Sequence, residues 1–273
     1  MSSSSAAPLV VAHRGASGHR AEHTLAAYEL ALQHGADALE CDVRLTRDGH
    51  LVCVHDRRVD RTSTGRGVVS EMTLQGLAQL DFASWHDPLP DNADELVNER
   101  QAPRDGVVAP TMLTLSQLLE LVLDSGSHAR LFIETKHPVR YGGLVEAKLL
   151  AELHRFGLAS PPSAAHARAV MMSFSPSAVW RVRRSAPMLP TVLLGRNSAA
   201  LGAFTTTAVG ATAIGPGIEV LRDDPELVWR AAEQGRATYT WTVDTAEDAR
   251  LCHELGVRWL ATNHPQRMRG WLS

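Results

Sequence analysis

Two short stretches of the sequence carry an unusual density of residues that can do chemistry. His13 and Arg14 close one apolar run, Glu40 and Asp42 stand two apart in another, and His55 follows shortly after. Residues two apart on a strand point to the same face, so Glu40 and Asp42 predict neighbouring carboxylates. Such a pair is costly to bury unless a cation neutralises it. The pattern therefore predicts a cation site with histidines beside it.

The segment between Asp42 and His55 has the pattern of a β-hairpin. Asp48-Gly49 is a favoured two-residue turn, and a turn there would place Asp42 opposite His55. Directly opposed residues are about 5 Å apart at Cβ. The turn thus predicts a cluster of two carboxylates and a histidine. An exposed hairpin whose charged residues face water is the alternative.

A third acid extends the predicted cluster. Glu134 follows the apolar run Leu131–Ile133, and Lys136 shares its strand face two residues later. Together with Glu40 and Asp42, Glu134 makes a set of three carboxylates with no thiolate. Oxygen ligands of this kind favour a hard divalent cation, Mg²⁺ or Ca²⁺.

The basic residues beside these acids suit an anionic substrate. Arg14 offers a planar fork for phosphate oxygens and Lys136 a point charge. A metal ion, an arginine and a lysine at one place would offset the charge that develops on a reacting phosphorus. His13 and His55 could then remove a proton from the attacking oxygen and return one to the leaving oxygen.

The apolar runs must bring these side chains together. Eight of them alternate with amphipathic helical segments: Leu9–His13, Ala38–Val43, Arg130–Thr135, Ala169–Phe174, Leu189–Leu194, Ala211–Gly215, Ala237–Thr242 and Arg258–Ala261. This alternation predicts an α/β fold, a (β/α)8 TIM barrel, in which the carboxyl ends of the strands carry the active site. An open doubly wound sheet is the rival, but no glycine-rich phosphate loop follows the first run.

The periodicity is interrupted once. Residues 57–109 are polar and rich in glycine, proline and aspartate, which predicts an insertion between the second and third barrel strands. The insertion could serve as a lid or as an interface. We expect a disordered tail over residues 1–7 and a single barrel domain over residues 8–273.

Composition narrows the class of protein. The chain has 273 residues, a formal net charge of -3 and a pI near 6.5, so no basic surface for nucleic acid is expected. Cys41, Cys53 and Cys252 form no CxxC pair, which argues against a disulfide framework and a thiolate zinc site. With no signal-peptide pattern and no apolar run long enough for a span, we expect a cytoplasmic protein without stable membrane association.

The motifs resemble those of the glycerophosphodiester phosphodiesterases, from about Val10 to Pro265. The similar positions are His13-Arg14-Gly15, Glu22-His23-Thr24, Glu40-x-Asp42, His55-Asp56, Thr62-x-Thr64-Gly65-x-Gly67, Pro110-Thr111-Met112-Leu113, Glu134-x-Lys136 and Trp241-Thr242-Val243. The resemblance implies a metal-dependent barrel hydrolase. It would split glycerophosphodiesters, such as glycerophosphocholine or glycerophosphoethanolamine, into glycerol 3-phosphate and an alcohol, with the glycerol 2-hydroxyl as internal nucleophile.

The resemblance also implies roles for individual residues. His13 and His55 would be the acid–base pair, and one divalent cation, Ca²⁺ or Mg²⁺, would be held by three acids. The implied metal ligands are Glu40, Asp42 and Glu134. The implied substrate contacts are Arg14, Lys136, Trp241 and Glu22. The Trp241 ring could meet a quaternary ammonium headgroup, or it could be ordinary packing at the barrel rim.

Three positions depart from the family pattern. His23 stands where the family usually has Asn, Asp244 where it often has Asn, and Asn263 where it often has Asp. These changes leave the acid–base and metal residues intact. They bear on headgroup preference rather than on the class of reaction.

Other functions were weighed against this one. A related barrel enzyme acting on intact phospholipid headgroups, of the phospholipase C or D kind, would need an interfacial patch, and the sequence has no basic amphipathic helix for it. An amidohydrolase would want a His-x-His pair, and a non-catalytic barrel would be expected to lack one of the acids or histidines. The expected partner is thus a small-molecule glycerophosphodiester and no nucleic acid, while a homodimer stays open.

Overall fold

The strands form one sheet that closes into a barrel. The computed structural model describes residues 6–86 and 111–273. The described strands are β1 (Leu9–His13), β2 (Ala38–Leu45), β3 (Leu51–Cys53), β4 (Arg130–Thr135), β5 (Ala169–Ser173), β6 (Thr191–Gly195), β7 (Ala213–Pro216), β8 (Ala237–Thr240) and β9 (Trp259–Thr262). The parallel strands pair in the order β1-β9-β8-β7-β6-β5-β4-β2, and pairing between β1 and β2 closes the ring. The predicted eight-stranded (β/α)8 TIM barrel is confirmed, and β3 is an antiparallel arm on β2.

Helices connect the strands on the outside of the barrel. They span Leu25–Gln33, Leu74–Leu77, Leu115–Asp124, Leu144–Arg155, Pro176–Ser185, Ala203–Val209, Ile218–Asp223, Glu226–Glu233, Ala246–Leu255 and Pro265–Leu272, with 3-10 turns at Val69–Glu71 and Ala199–Leu201. The hydroxyls of Thr24, Thr114 and Ser175 accept backbone N–H groups and so fix where three helices begin.

The barrel strands are buried on both faces, as parallel strands in such folds are. Inside the barrel, Phe132 on β4 lies against Tyr239 on β8, with ring centroids 5.2 Å apart. Outside it, residues such as Leu39 and Leu131 pack against the helices. The interior is therefore filled, and only the rim at the strands' carboxyl ends is left for a site.

The hairpin between β2 and β3 differs from its predicted register. Val54 N–H donates to the Asp42 carbonyl at 3.0 Å, so Asp42 faces Val54, and the prediction that it faces His55 is wrong by one residue. The turn within Thr46–His50 is a three-residue loop, closed by Gly49 in the left-handed region at φ 83°. An Asp-Gly pair fits this loop as well as a two-residue turn. His55 lies beyond the end of β3, and a loop rather than strand pairing delivers it to the rim.

The first part of the predicted insertion packs on the hairpin arm. Val59, Leu77 and Phe82 are buried together with Val52 and Val54 of the arm. The remainder of the insertion, residues 87–109, lies outside the described residues, as do residues 1–5 of the predicted tail. Among the described parts of the chain, no helix combines the length and the apolar character needed to cross a membrane.

Candidate active site

Three carboxylates meet at the carboxyl ends of β2 and β4. Parallel pairing sets Asp42 directly beside Glu134, and Glu40 lies two residues earlier on the same face of β2. One ligand oxygen from each of the three residues lies within 4.8 Å of the others, and all three side chains are buried. The predicted cluster is present, and its geometry can hold one divalent cation.

The charges of these carboxylates interact strongly. Burial raises the pKa of Glu40 well above its usual range, and Asp42 raises it further. Burial and then Asp42 raise the pKa of Glu134 to about 8. Burial would also raise the pKa of Asp42, but Lys136 and His23 help to hold it well below its usual range. A cation bound here would offset the repulsion between the carboxylates that contributes to these raised pKa values.

Arg14 reaches the cluster because the chain turns sharply after β1. Arg14 adopts a left-handed φ of 59°, and its backbone N–H donates to Glu40 Oε2 at 3.0 Å. Its Nε lies 3.1 Å from Asp42 Oδ2, an ion pair without hydrogen-bond geometry. Gly15 is needed next, because its φ is 84° and a Cβ there would lie 2.7 Å from the Ala27 carbonyl carbon. In the His-Arg-Gly motif, Gly15 therefore allows the sharp turn, and Arg14 contacts the carboxylates.

Lys136 lies between two of the acids. Its Nζ is 2.8 Å from Glu134 Oε1 and 3.2 Å from Asp42 Oδ1. Burial lowers the pKa of an ammonium, but Asp42 and Glu134 more than offset this and raise the pKa of Lys136. The lysine is thus a cation held at the rim by two of the predicted metal ligands.

His13 is held by hydrogen bonds that run through Asn263, which directly follows β9, to Asp244. The Asn263 amide donates to Asp244 Oδ2 at 2.6 Å, because a carboxylate can only accept. The Asn263 oxygen must then face His13 Nδ1, which lies 2.9 Å away and donates to it. This leaves His13 Nε2 without a proton. Burial, and then the nearby Arg14, lowers the pKa of His13 to about 4.

His55 has a carboxylate partner of its own. Its Nδ1 lies 2.7 Å from Asp56 Oδ1, so Nδ1 carries the proton. The Arg61 guanidinium links two acids: its Nε lies 2.6 Å from Asp56 Oδ2, and its Nη2 lies 2.7 Å from Glu22 Oε1. Glu22 also lies 3.2 Å from Arg14 Nη1, so the network connects His55 with the turn after β1. Burial lowers the pKa of His55, although 32% of its side chain stays exposed.

His23 belongs to the site as well, although the sequence indicated only that it departs from a family pattern. Its Nε2 lies 3.0 Å from Asp42 Oδ2, and its Nδ1 lies 2.8 Å from the Tyr28 hydroxyl. Tyr28 in turn donates to the Glu40 carbonyl at 3.0 Å. His23 therefore links a helix to the strand that carries two of the carboxylates.

An aromatic corner completes the rim. Phe174 and Trp241 meet edge to face with ring centroids 5.4 Å apart. The Arg196 guanidinium carbon lies 5.0 Å from the Phe174 centroid and 5.6 Å from the Trp241 centroid. The Trp241 ring, which could meet a quaternary ammonium, thus already contacts a cation of the chain itself.

The predicted site residues converge, with one exception. A cavity of about 40 Å³ is lined by His13, Arg14, Glu40, His55, Glu134, Lys136, Met172, Phe174, Leu194, Arg196, Tyr239 and Trp241. Asp42 lies beneath this lining as the partner of Arg14 and Lys136. Glu22 is not part of the lining, and its carboxylate is taken up by Arg61 and Arg14. Burial would raise the pKa of Glu22, but these two partners lower it to about 2.

Sequence reasoning missed Arg196 and the contact of His23. Arg196 directly follows β6, and a charged residue at the carboxyl end of a barrel strand is a signal that could have singled it out. His23 gave no such signal, because its contact depends on a left-handed φ of 61° before the first helix.

Comparison with known proteins agrees with this geometry. The sequence matches the model of the "Glycerophosphoryl diester phosphodiesterase family" over residues 13–267. The "Probable glycerophosphodiester phosphodiesterase 1" of Mycobacterium tuberculosis is 58% identical over 97% of this chain and 92% of its own length. The "Glycerophosphodiester phosphodiesterase" of Bacillus subtilis is 36% identical over 94% of this chain and 84% of its own.

A solved structure shares the fold. It is a phosphodiesterase of Oleispira antarctica in complex with the product sn-glycerol-3-phosphate, with a TM-score of 0.77 and 21% identity over 97% of this chain and 96% of that one. Barrel, carboxylate cluster and relatives together define a phosphodiesterase built on a (β/α)8 barrel. The chain belongs to the glycerophosphoryl diester phosphodiesterase family, and the resemblance seen in its motifs is confirmed.

Proposed function

We propose that this enzyme hydrolyses glycerophosphodiesters, such as glycerophosphocholine or glycerophosphoethanolamine, to glycerol 3-phosphate and an alcohol in a metal-dependent reaction. One observation carries the proposal. Ligand oxygens of Glu40, Asp42 and Glu134 lie within 4.8 Å of one another, beside a cavity that His13 and His55 both line. A charge-rich site of this kind suits a reaction that moves protons and builds negative charge on phosphorus.

The three carboxylates would hold one divalent cation, Ca²⁺ or Mg²⁺. They fit such an ion because all three ligands are oxygens and because burial raises the pKa of Glu40 and Glu134. When bound, the cation would polarise a phosphoryl oxygen and offset the charge that develops there. Its arrival would require the carboxylates to give up their protons.

His13 would act as the general base and His55 as the general acid. His13 is neutral near pH 7, because burial and Arg14 lower its pKa to about 4, and its Nε2 is free to accept a proton. The half-buried His55 has Asp56 at 2.7 Å, and this carboxylate would stabilise the imidazolium that protonates the leaving oxygen. Each ring is oriented through Nδ1, so its Nε2 is left for the substrate.

Arg14 and Lys136 would bind the phosphate. Both line the cavity, and both are fixed by the carboxylates that would bind the metal. Trp241 would form one wall beside the alcohol headgroup. Glu22 would hold Arg14 and Arg61 in place instead of touching the substrate, because its carboxylate already contacts both.

The alternative substrate, an intact phospholipid headgroup, has less support. The relatives reported above are named glycerophosphodiester phosphodiesterases, and no described residue at the rim gives a specific reason to favour a lipid surface over a small diester. We further propose that the enzyme works in the cytoplasm. Cys41, Cys53 and Cys252 are buried free thiols, which suits a reducing compartment.

Product identification by phosphorus NMR tests this proposal. With metal present, glycerophosphocholine should yield glycerol 3-phosphate and not phosphocholine, and phosphatidylcholine vesicles should stay intact. His13→Ala and His55→Ala should each reduce the rate by about a hundredfold or more while leaving the thermal unfolding midpoint close to that of the wild type. Formation of phosphocholine, or near wild-type rates in both variants, would rule the proposal out.

A further inference from the structure

A second cavity lies apart from the one beside the carboxylates. It has a volume of about 360 Å³ and lies between the β2–β3 hairpin, the 3-10 turn Val69–Glu71 and the segment after β4. Three arginines are among its lining residues, Arg44, Arg57 and Arg140. We call this space the arginine cavity. It shares no lining residue with the site cavity.

The arginine cavity adjoins the candidate active site through the chain itself. Arg44 lies two residues beyond Asp42 on β2, so both side chains point to the same face. Two residues of strand span about 7 Å, which is close to the reach of a three-carbon linker between successive phosphates. Arg44 also donates from Nε and Nη2 to the His55 carbonyl, at 3.0 and 2.8 Å.

Other residues that line the arginine cavity follow site residues closely in the chain. Arg57 follows His55 by two residues, and Pro138 follows Lys136 by two. The arginine cavity therefore neighbours His55 and Lys136 along the chain, and we expect a substrate group that extends past them to reach it. The direction is away from the Phe174–Trp241 corner, because those rings belong to strands on the other side of β4.

The charge of the arginine cavity is poorly compensated. Within the part of the chain that the structure describes, none of its three arginines forms an ion pair with a carboxylate. Glu71 is the one acid among the described lining residues. Leu45, Val69 and Tyr141 supply apolar surface between the charges. Guanidinium groups around a partly apolar space suit a phosphate ester.

We propose that the arginine cavity binds a second phosphate of the substrate, so that the preferred substrate is a glycerophosphodiester whose alcohol carries a further phosphate ester. This inference rests on the proposed function and deepens it. Arg57 and Arg140 would contact the second phosphate, while Arg44 would stand between it and His55. The apolar residues would contact the carbon chain that joins the two phosphates.

Two matched substrates test this inference. Deacylated phosphatidylglycerol has one phosphodiester, and deacylated cardiolipin has the same glycerol leaving group with a second phosphodiester attached. Initial rates of glycerol 3-phosphate release would be measured for both, with metal present and at low salt. The two equivalent ends of the second substrate alone would give it about a twofold advantage. We expect its kcat/KM to be about tenfold higher than that of the first substrate, well beyond this factor.

Removing the two exposed arginines should remove the preference. In the double variant Arg57→Gln/Arg140→Gln, the ratio of the two kcat/KM values should fall to about twofold, through KM rather than kcat. Arg58→Gln is the matched control, because Arg58 is exposed, adjacent in sequence and paired with Asp60 outside the cavity lining. This control should keep the wild-type ratio, and added salt should weaken the preference in the wild type.

The outcomes separate the two claims. Equal kcat/KM per end in the wild type, or an unchanged preference in the double variant, would overturn the arginine cavity alone. A loss of preference in Arg58→Gln as large as in the double variant would also overturn it, because the effect would then be one of net charge. No turnover of either substrate would overturn the proposed function and this inference together.

Discussion

Asp244 fixes which way the Asn263 amide points. Its carboxylate accepts the Asn263 backbone N–H at 2.8 Å and the Asn263 side-chain N–H at 2.6 Å. The amide oxygen is therefore turned towards His13, and His13 Nδ1 must carry the proton. The two positions depart from the family pattern in opposite directions: Asp244 stands where the family often has Asn, and Asn263 stands where it often has Asp. In the structure they form one interacting pair.

Exchanging this pair should be tolerated better than changing either member. In Asp244→Asn two amides face each other, the Asn263 orientation is no longer fixed, and we expect kcat to fall by about tenfold to a hundredfold. The double variant Asp244→Asn/Asn263→Asp again has one carboxylate and one amide, so it should recover most of the lost rate. Asp223→Asn, at an exposed helix end, is the control. A double variant as slow as the single ones would contradict this account of the pair.

The residue beside His13 should also set the pH dependence of the reaction. In the wild type, burial and Arg14 lower the pKa of His13 to about 4, so the neutral base is present above that pH and is lost as the pH falls through it. Asn263→Asp would put a carboxylate next to Nδ1 and raise the pKa of His13. The acid limb of kcat/KM, measured at saturating metal, should then move to higher pH by about one unit or more. A limb that stays in place would show that His13 is not the group that titrates.

The sequence was sufficient to predict the carboxylate cluster, because side-chain alternation along a strand is local. Glu40 and Asp42 share a face whatever surrounds β2, and the ends of parallel strands meet at one rim, which brings Glu134 to them. The contact between His13 and Asn263 joins residues 250 positions apart and depends on an amide orientation set by a third residue. No spacing rule contains that information.

The hairpin marks a different limit of sequence reasoning. Asp48-Gly49 is compatible with a two-residue turn and with a three-residue loop, and the choice shifts the register by one. The Thr46 hydroxyl decides it, since it donates to Asp48 and accepts the His50 N–H at 2.9 Å. His55 still reaches the rim and lines the site cavity, although the predicted register was wrong.

Arg196 should discriminate between headgroups. Its guanidinium lies over the Phe174 and Trp241 rings, where a quaternary ammonium would otherwise be attracted. In Arg196→Ala we expect the ratio of kcat/KM for glycerophosphocholine to that for glycerophosphoglycerol to rise by about threefold to tenfold. Taking the ratio cancels any contribution that Arg196 makes to the shared glycerol phosphate.

Another arginine on a tryptophan provides the control for this variant. Arg184 lies 5.0 Å from the Trp180 ring centroid on the exposed face of the helix Pro176–Ser185, away from the site cavity. Arg184→Ala removes the same charge and the same type of contact, and it should leave the substrate ratio unchanged. An unchanged ratio in Arg196→Ala would mean that the aromatic corner does not meet the headgroup.

His23 should affect metal binding more than the proton transfers. It contacts Asp42 and Tyr28 but lies outside the site cavity lining. His23→Ala leaves Asp42 without this partner, and metal affinity should fall by about tenfold to a hundredfold. His23→Asn restores a shorter donor and should recover part of the loss. Calorimetric titration with Ca²⁺ and Mg²⁺ measures this directly, and wild-type affinity in His23→Ala would contradict the positioning role.

The most direct test of the account is the dependence of glycerol 3-phosphate release on a divalent cation and on Glu134. Treatment of the wild type with EDTA should abolish release from glycerophosphocholine and glycerophosphoethanolamine, and added Ca²⁺ or Mg²⁺ should restore it. Glu134→Gln should need a much higher concentration of the same ion, because one of the three carboxylates is lost. Full activity in EDTA, or an unchanged metal requirement in Glu134→Gln, would contradict the three-carboxylate metal site at the centre of the proposed reaction.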